Sequence, residues 1–339
     1  MRVATACYLL VLTVSVSEVR ADETSLPTGL VYHPDFLLHN DRLVHPERPE
    51  RLTAIMAGLK RSGLLADVVR IRARPAANKW LTRIHTPAYL RELKVATRKA
   101  PFQLDRDTWI SADSLRVARL ASGGVLRAAQ AVATGKILNA FAIVRPPGHH
   151  ALPDRAMGFC LLNHVAIAAR YIQEKHGLKR ILIVDWDVHH GNGAQDVFYD
   201  DPSVLYFSTH QFPYYPGSGA AEERGNEEGL GTTVNVPLPS GSGDADILKA
   251  FQEKLIPAAD AFRPNFVLIS SGFDAHQDDD LADLRVSTEG YAALTRVVVA
   301  IAERHAGGRL VSVLEGGYDL DALAQASEAH LRVLMNQAD

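Results

Sequence analysis

The stretch RILIVDWDVHHGNG (residues 180–193) decides the fold class of this sequence. Its first half, from Ile181 to Val184, is continuously apolar rather than alternating, which indicates a strand that is buried on both faces. Such strands are typical of parallel sheets covered by helices. Its second half places two aspartates and two histidines where the strand should end, so the same stretch also indicates a site with chemistry.

Similar apolar runs recur along the chain, and many are separated by segments with apolar residues at helical spacing. The predicted strands span residues 29–33, 67–72, 140–145, 180–187, 204–210, 232–238, 265–274 and 309–317. The clearest helical segments are residues 114–135 and 163–177. The sequence shows no internal repeat, long linker or break in composition. We therefore predict one α/β domain built on a parallel sheet.

Polar clusters follow four of the predicted strands. They are RPPGHHA (145–151), DWDVHHGNG (185–193), SSGFDAHQDDD (270–280) and EGGY (315–318). In open parallel sheets, ligands bind beyond the carboxyl ends of the strands, so clusters that are distant in sequence are expected to meet in one cleft. A single buried histidine or aspartate is usually a satisfied core residue, but four clusters on one side of a sheet predict a functional site.

Metal binding is the first chemistry that these clusters indicate. Asp185, Asp187 and His189 are spaced two residues apart, which would place them on one side of an extended backbone. Asp187 and His189, together with Asp274 from another strand end, would supply two carboxylates and one imidazole. Three protein ligands that leave a position for water are the arrangement of a catalytic Zn²⁺ site.

A zinc site with two carboxylates needs a separate general base, because the carboxylates nearly neutralise the ion and leave its water less acidic. The adjacent residues His149 and His150 can supply that base. Asp185 then serves better as an orienting partner for one of these histidines than as a further metal ligand.

Taken together and in this order, the motifs resemble the histone deacetylase family, in its class II-type branch with the bacterial amidohydrolases. They are HPERPERL (45–52), RPPGHHA, GFCLLNHVAIAA (158–169), DWDVHHGNG, SSGFDAHQDDDLA (270–282) and LEGGY (314–318). The likeness covers residues 28–335, nearly the whole chain. It implies an arginase/deacetylase fold, with an eight-stranded parallel sheet flanked by helices on both faces. It also implies hydrolysis of an acetyl amide with one catalytic zinc ion.

The resemblance also assigns roles position by position. It gives Asp187, His189 and Asp274 to zinc, and His149 and His150 to the catalytic pair. The hydroxyl of Tyr318 would support the substrate carbonyl. Gly158 and Phe159 would form one wall of an acyl-lysine tunnel, and Tyr215 would form the opposite wall, where many relatives have phenylalanine.

Structural potassium sites are a further implication of the resemblance. The first would be built largely from backbone carbonyls of Asp185, Asp187, His189, Ser208 and Thr209. A second would involve Phe198, Asp201 and Val204.

Asn192 stands where some relatives have an aspartate that faces the second histidine. A neutral amide can orient an imidazole without raising its pKa as a carboxylate would. We expect His150 to stay neutral and to act as the base, taking a proton from water and returning it to the leaving amine. His149, paired with Asp185, would be biased towards its charged form and act electrostatically.

The substrate preference is predicted from Leu281, which stands where polyamine-preferring relatives carry a glutamate. An apolar residue there favours an acetyl-lysine-like chain over acetylspermidine. Residues 278–280, three aspartates, could supply local negative charge, although a capped and solvated loop is the simpler interpretation. HPERPERL has two interpretations: His45, Pro46 and Arg48 could shape the tunnel rim, or Pro46 and Pro49 could simply start a helix.

Three rival functions remain at this point. An acetylpolyamine amidohydrolase would use the same chemistry on a small acetylated amine. A two-metal ureohydrolase uses an Asp-x-His-x-Asp run, but its last position here is Gly191, which has no ligand atom in its side chain. A non-catalytic binding protein would be expected to have lost a ligand or Tyr318, and none is missing.

The N-terminus resembles an export signal. Residues 1–21 combine a basic start, an apolar run and a small-residue ending, and a buried strand or helix is the alternative. We predict a cleaved signal at 1–21, a deacetylase domain at 22–339 and a periplasmic location, with the cytoplasm as the alternative. The formal net charge of -3 is no footprint for nucleic acid or an anionic membrane, and we expect no stable membrane association after cleavage. Two cysteines cannot build a disulfide framework. The expected partner is an acetylated peptide or small acetylated amine.

Overall fold

The computed structural model describes residues 26–40 and 43–337, so the predicted signal at residues 1–21 lies outside the described residues. The strands are β1 (Gly29–Val31), β2 (Val69–Ile71), β3 (Phe102–Gln103), β4 (Trp109–Ile110), β5 (Asn139–Ala142), β6 (Ile181–Asp185), β7 (Val204–Gln211), β8 (Thr233–Leu238), β9 (Phe266–Ser271) and β10 (Leu310–Leu314). The α-helices are α1 (Glu50–Arg61), α2 (Asn78–Leu81), α3 (Pro87–Thr97), α4 (Ser114–Ala133), α5 (His164–His176), α6 (Asn192–Phe198), α7 (Asp244–Ala250), α8 (Ile256–Phe262), α9 (Thr288–Ala306) and α10 (Leu320–Leu334).

Eight strands form one sheet in the order β2-β1-β5-β10-β9-β6-β7-β8, and every neighbouring pair is parallel. Each of the eight overlaps a predicted apolar run with at most one residue outside it, so the predicted fold class is confirmed. The antiparallel pair β3-β4 was not predicted. Its strands have two residues each, too few to show a hydrophobic period.

The central strands are buried along their whole length, which explains their continuous apolar sequence. All residues of β5, β6, β7, β9 and β10 are buried. Two groups of helices flank the sheet: α4 packs on α5, and α10 packs on α1 and α9. No helix among the described residues combines the length and apolar character that crossing a bilayer requires.

The four strands that carry the polar motifs are consecutive in the sheet, in the order β5-β10-β9-β6. Because these strands are parallel, their carboxyl ends lie side by side along one edge. The fold therefore brings together residues that are far apart in the chain. Gly148 and Tyr318, for example, are 170 positions apart (318 − 148).

Candidate active site

The three predicted metal ligands meet where β6 and β9 end. One potential ligand atom from each of Asp187, His189 and Asp274 lies within 4.8 Å of the other two, and all three side chains are buried. His189 Nδ1 lies 3.0 Å from Asp187 Oδ1 and 3.2 Å from Asp274 Oδ2. The extended geometry predicted for this segment is wrong, because β6 ends at Asp185 and the next residues form bends. The side chain of Asp187 instead accepts from the backbone N–H of His189 at 3.0 Å.

These three side chains fit a divalent cation. Burial, and then the negative charge of Asp187, raise the pKa of Asp274 to about 7, because two carboxylates this close repel each other. Asp274 Oδ2 is buried, and His189 Nδ1 does not meet it with hydrogen-bond geometry, so this oxygen has no partner among the described residues. Carboxylate oxygen and imidazole nitrogen are zinc ligands in catalytic sites.

A second group, His149, Cys160 and Glu315, also brings potential ligand atoms within 4.8 Å of one another. Its atoms already have partners. Cys160 Sγ donates to the carbonyl of Gly158 at 3.2 Å, and Glu315 Oε2 accepts from the backbone N–H groups of Gly148 at 2.6 Å and His149 at 3.1 Å. Glu315 therefore supports the loop that carries the histidine pair.

His149 is held by a buried carboxylate, as predicted from its sequence context. Its Nδ1 lies 3.0 Å from Asp185 Oδ2, and its Nε2 lies 3.8 Å from Asp187 Oδ1. Burial alone would lower the pKa of His149, but the charges of Asp185 and Asp187 outweigh it and raise the pKa to about 10. His149 is therefore an imidazolium at neutral pH.

His150 is held by an amide instead. Its Nδ1 lies 2.8 Å from Asn192 Oδ1, while Asn192 Nδ2 points to the sulfur of Met157 at 3.5 Å. Since an amide oxygen only accepts, Nδ1 carries the proton and Nε2 keeps a lone pair. Burial, and then the positive charge of His149, hold the pKa of His150 well below its ordinary value. The bond to Asn192 raises that pKa, but it is the smallest of these effects.

Tyr318 follows the glycine pair of the fourth motif. Its ring lies edge-on to Phe159, with centroids 6.0 Å apart, and its centroid is 5.0 Å from the guanidinium carbon of Arg51. Burial raises the pKa of Tyr318 well above its ordinary value, so the hydroxyl keeps its proton. A side chain at Gly316 would place a Cβ 2.1 Å from Asp274 Oδ2, so only glycine fits beside the metal ligands.

Asp279 was expected in a solvated loop, and this expectation is wrong. Its side chain is buried, at 4% exposure, and its carboxylate accepts three backbone N–H groups. Its neighbours Asp278 and Asp280 are exposed, as the solvated-loop interpretation predicts. Residues 278–280 are three identical aspartates, so the sequence does not indicate that the middle one is buried and its two neighbours are exposed.

A narrow cavity of about 190 Å³ leads to this cluster. It is lined by Asp107, Pro147, His149, His150, Gly158, Phe159, His189, Tyr214, Tyr215, Leu281, Gly316 and Tyr318. The four residues predicted for the tunnel, Gly158, Phe159, Tyr215 and Leu281, all lie on its wall. Tyr214 was not predicted, although its ring stacks on His189 at 5.7 Å and its hydroxyl donates to the carbonyl of Leu281.

The HPERPERL motif starts a helix, and one of its residues, His45, contacts a residue of the cavity wall. Pro49 immediately precedes α1, and the ring of His45 lies edge-on to Phe159 at 4.5 Å. The motif also contains a residue that was missed, the buried Glu47. Its carboxylate pairs with Arg145 and, at 3.2 Å, with Arg51. Burial alone would raise the pKa of Glu47, but these guanidinium groups, chiefly Arg145, hold it at about 2.

The two predicted potassium sites differ in what their side chains offer. At the first, Thr209 Oγ1 is buried and has no partner among the described residues. At the second, Asp201 is paired with Arg170 at 2.6 Å through one oxygen and with Ser203 through the other. The Arg170 guanidinium also lies 4.8 Å from the ring centroid of Phe198. At the second site, the guanidinium group of Arg170 therefore already places a positive charge beside Asp201 and Phe198. The third residue predicted for that site is Val204.

Known proteins resemble this chain over most of its length. The model of the histone deacetylase domain matches residues 45–334. A probable deacetylase of Archaeoglobus fulgidus is 44% identical over 296 residues, which cover 87% of this chain and 82% of that protein. The histone deacetylase-like amidohydrolase of Pseudomonas aeruginosa is 42% identical, over 81% of this chain and 72% of that protein.

Longer relatives are matched over part of their length. The human polyamine deacetylase HDAC10 is 42% identical over 315 residues, which cover 88% of this chain but 46% of that protein. Among solved structures, the crystal structure of the HDA15 HD domain superposes with a TM-score of 0.88 at 40% identity, covering 93% of this chain and 91% of that one.

Proposed function

The chain belongs to the histone deacetylase family, and from that membership we propose a zinc-dependent amidohydrolase that removes acetyl groups from acetyl-lysine-like amides. One observation carries the proposal. The buried Asp187, His189 and Asp274 cluster, His149 paired with Asp185, and His150 paired with Asn192 lie around one narrow cavity whose wall also includes Tyr318.

Asp187, His189 and Asp274 would hold the zinc ion, which when bound acts as a Lewis acid that polarises the amide carbonyl and acidifies water. His150 supplies the base. Its unprotonated Nε2 takes a proton from the attacking water and returns it to the leaving amine nitrogen. Asn192 fixes the tautomer that this transfer needs, because its oxygen holds the proton on Nδ1.

His149 and Tyr318 support the same step without exchanging protons. The imidazolium of His149 places a fixed positive charge beside the site, which favours negative charge on the reacting atoms. The hydroxyl of Tyr318 keeps its proton and donates a hydrogen bond to the substrate carbonyl oxygen as that oxygen gains charge.

The wall of the cavity supports a linear acyl-amine substrate. Phe159, Tyr214, Tyr215 and Leu281 provide aromatic and apolar surface along a narrow passage, which suits the methylene chain of a lysine. An acetylpolyamine is the second candidate substrate, favoured by the carboxylate of Asp107 in the cavity lining and by the likeness to a protein named as a polyamine deacetylase.

Two further parts of the proposal concern surroundings rather than chemistry. We propose a structural potassium ion at the first predicted site, supported by the unpartnered Thr209 hydroxyl beside the strand end. We also propose export to a periplasm, supported by the composition of residues 1–21. An exported enzyme would meet no histones, which makes acetylated peptides or small acetylated amines its substrates.

The decisive experiment compares kcat/KM for an acetyl-lysine peptide and for N-acetylputrescine, with and without a chelator, alongside the metal content of the purified protein. We expect one zinc ion per chain, loss of activity on chelation and preference for the peptide. Two manganese ions, or activity that is indifferent to the chelator, would contradict the zinc amidohydrolase. A large preference for N-acetylputrescine would replace the acetyl-lysine substrate with a polyamine.

A further inference from the structure

We propose that Asp279 is a positioning residue for Tyr318, acting through the backbone. The proposal rests on the proposed function only for its catalytic consequence, since the contacts stand by themselves. The carboxylate Oδ2 of Asp279 accepts from the N–H of Tyr318 at 2.5 Å and from the N–H of Asp319 at 3.0 Å. A buried carboxylate that accepts several N–H groups is a strong, charge-assisted anchor.

The carbonyl groups of the same segment are held by a cation. The guanidinium group of Arg51 donates to the carbonyls of Glu315 and Gly317, both at 2.5 Å. The segment from Glu315 to Asp319 is thus fixed by a guanidinium on its carbonyls and by Asp279 on its amides. Gly317 has a φ of 117°, so the chain turns sharply just before Tyr318. The hydrogen bond that the Tyr318 N–H donates to Asp279 fixes the direction of the chain after this turn.

The same carboxylate also holds a second residue of the cavity wall. Its other oxygen, Oδ1, accepts from the N–H of Leu281 at 3.1 Å, and the carbonyl of Leu281 accepts from the Tyr214 hydroxyl. One buried side chain therefore connects two residues of the cavity wall, Leu281 and Tyr318. Leu281 and Tyr318 are distant in sequence, and Asp279 sets their relative position.

The contacts determine which substitutions are informative. In Asp279→Ala both acceptor oxygens, and with them all three hydrogen bonds, are lost. In Asp279→Asn one oxygen remains, which can still accept from Tyr318 and Asp319, while the new NH₂ group meets the N–H of Leu281. Asp280 is exposed and follows directly in the chain, so Asp280→Ala is a matched control for the loss of a charge from this loop.

We expect Asp279→Ala to lower kcat about 10- to 100-fold with little change in KM and unchanged zinc content, because a misplacement of about 1 Å is enough for such a loss. Asp279→Asn should fall between wild type and Asp279→Ala, and Asp280→Ala should match wild type. In a Tyr318→Phe background, Asp279→Ala should lower kcat no further, because the hydroxyl that it positions is already gone. Additive losses in the double variant would overturn the proposal and make Asp279 a general structural residue.

A second measurement does not depend on activity. Backbone hydrogen exchange at Tyr318 should be about tenfold faster in Asp279→Ala than in wild type, and close to wild type in Asp279→Asn. If Asp279→Ala fails to fold, the comparison between Asp279→Asn and Asp280→Asn at Leu281 decides instead, with faster exchange expected for the former alone. Unchanged exchange at both amides would refute the proposal. An inactive wild-type protein with the expected exchange would refute only the proposed function.

Discussion

Replacing Asn192 with aspartate tests why the two neighbouring histidines differ. His149 and His150 are adjacent, both are buried, and each has an oxygen near 3 Å from Nδ1, at 3.0 and 2.8 Å. His149 has a carboxylate as its partner, and the pKa of His149 is raised to about 10. His150 has an amide as its partner, and the pKa of His150 is lowered. Asn192→Asp gives His150 the kind of partner that His149 has, in nearly the same volume.

The size of the effect follows from the distance. Two unit charges about 4 Å apart interact by about 4 kcal/mol at an effective dielectric constant near 20, which corresponds to about three pH units. The new carboxylate must itself be buried, which reduces the gain, so we expect the acidic limb of the kcat/KM profile to move to higher pH by about two units. The sign follows because the base must be unprotonated, and a higher pKa of His150 keeps it protonated to higher pH.

The assay is the pH dependence of kcat/KM for an acetyl-lysine peptide, measured with zinc-loaded wild type, Asn192→Asp and Asn78→Asp. Asn78 is exposed and outside the cavity lining, so its substitution controls for the change in net charge. We expect the control profile to overlay the wild type. An acidic limb that stays in place in Asn192→Asp, with zinc content unchanged, would show that His150 is not the base or that Asn192 does not set its protonation.

Three other substitutions test separate parts of the site. Tyr318→Phe should lower kcat about 100-fold with zinc retained, since it removes one donor to the developing charge, and near-normal turnover would exclude that role. Glu47→Gln should lower the free energy of unfolding in urea by about 3–5 kcal/mol at pH 7, because it leaves buried guanidinium groups without a counter-charge. The pKa of Glu47 is about 2 in the fold and 4.5 in the reference state, so this stabilisation is complete above about pH 4.5 and lost as the pH falls through 2, where variant and wild type should converge. Leu281→Glu should raise kcat/KM for N-acetylputrescine about tenfold relative to the acetyl-lysine peptide, as a carboxylate in the cavity wall attracts a second ammonium group, and an unchanged ratio would exclude Leu281 as the selector.

The fold could be predicted because its strands carry a strong and simple pattern. The residues of β6 and β9 are all buried, and a strand with two covered faces must be apolar throughout. The order of the strands could not be predicted from that pattern alone. The sheet places β10 between β5 and β9, and neither hydrophobicity nor spacing records which buried strand lies beside which.

The site divides along a similar line. Side chains that meet at the cavity and its metal-ligand cluster lie in short motifs, so Asp187, His189 and Tyr318 could be named from the sequence. Residues that act through the backbone of another segment have no such motif. Asp279 and Arg51 form hydrogen bonds with main-chain atoms of residues 315–319. Because nearly every residue type offers the same main-chain groups, the sequence does not show which residues are the partners.

The protonation of the histidine pair has a cause that pairwise inspection of the motif misses. Asn192 was expected to keep His150 neutral by not being a carboxylate, yet its bond slightly favours the charged form. The larger effects are burial and the positive charge of His149, and that charge exists because Asp185 and Asp187 stabilise it. Asp185 therefore favours the neutral form of His150 through His149, although no bond joins Asp185 to His150. Burial and the carboxylates around His149 thus favour opposite protonation states for two adjacent histidines, and we propose that this separation assigns the base to His150 and the fixed charge to His149.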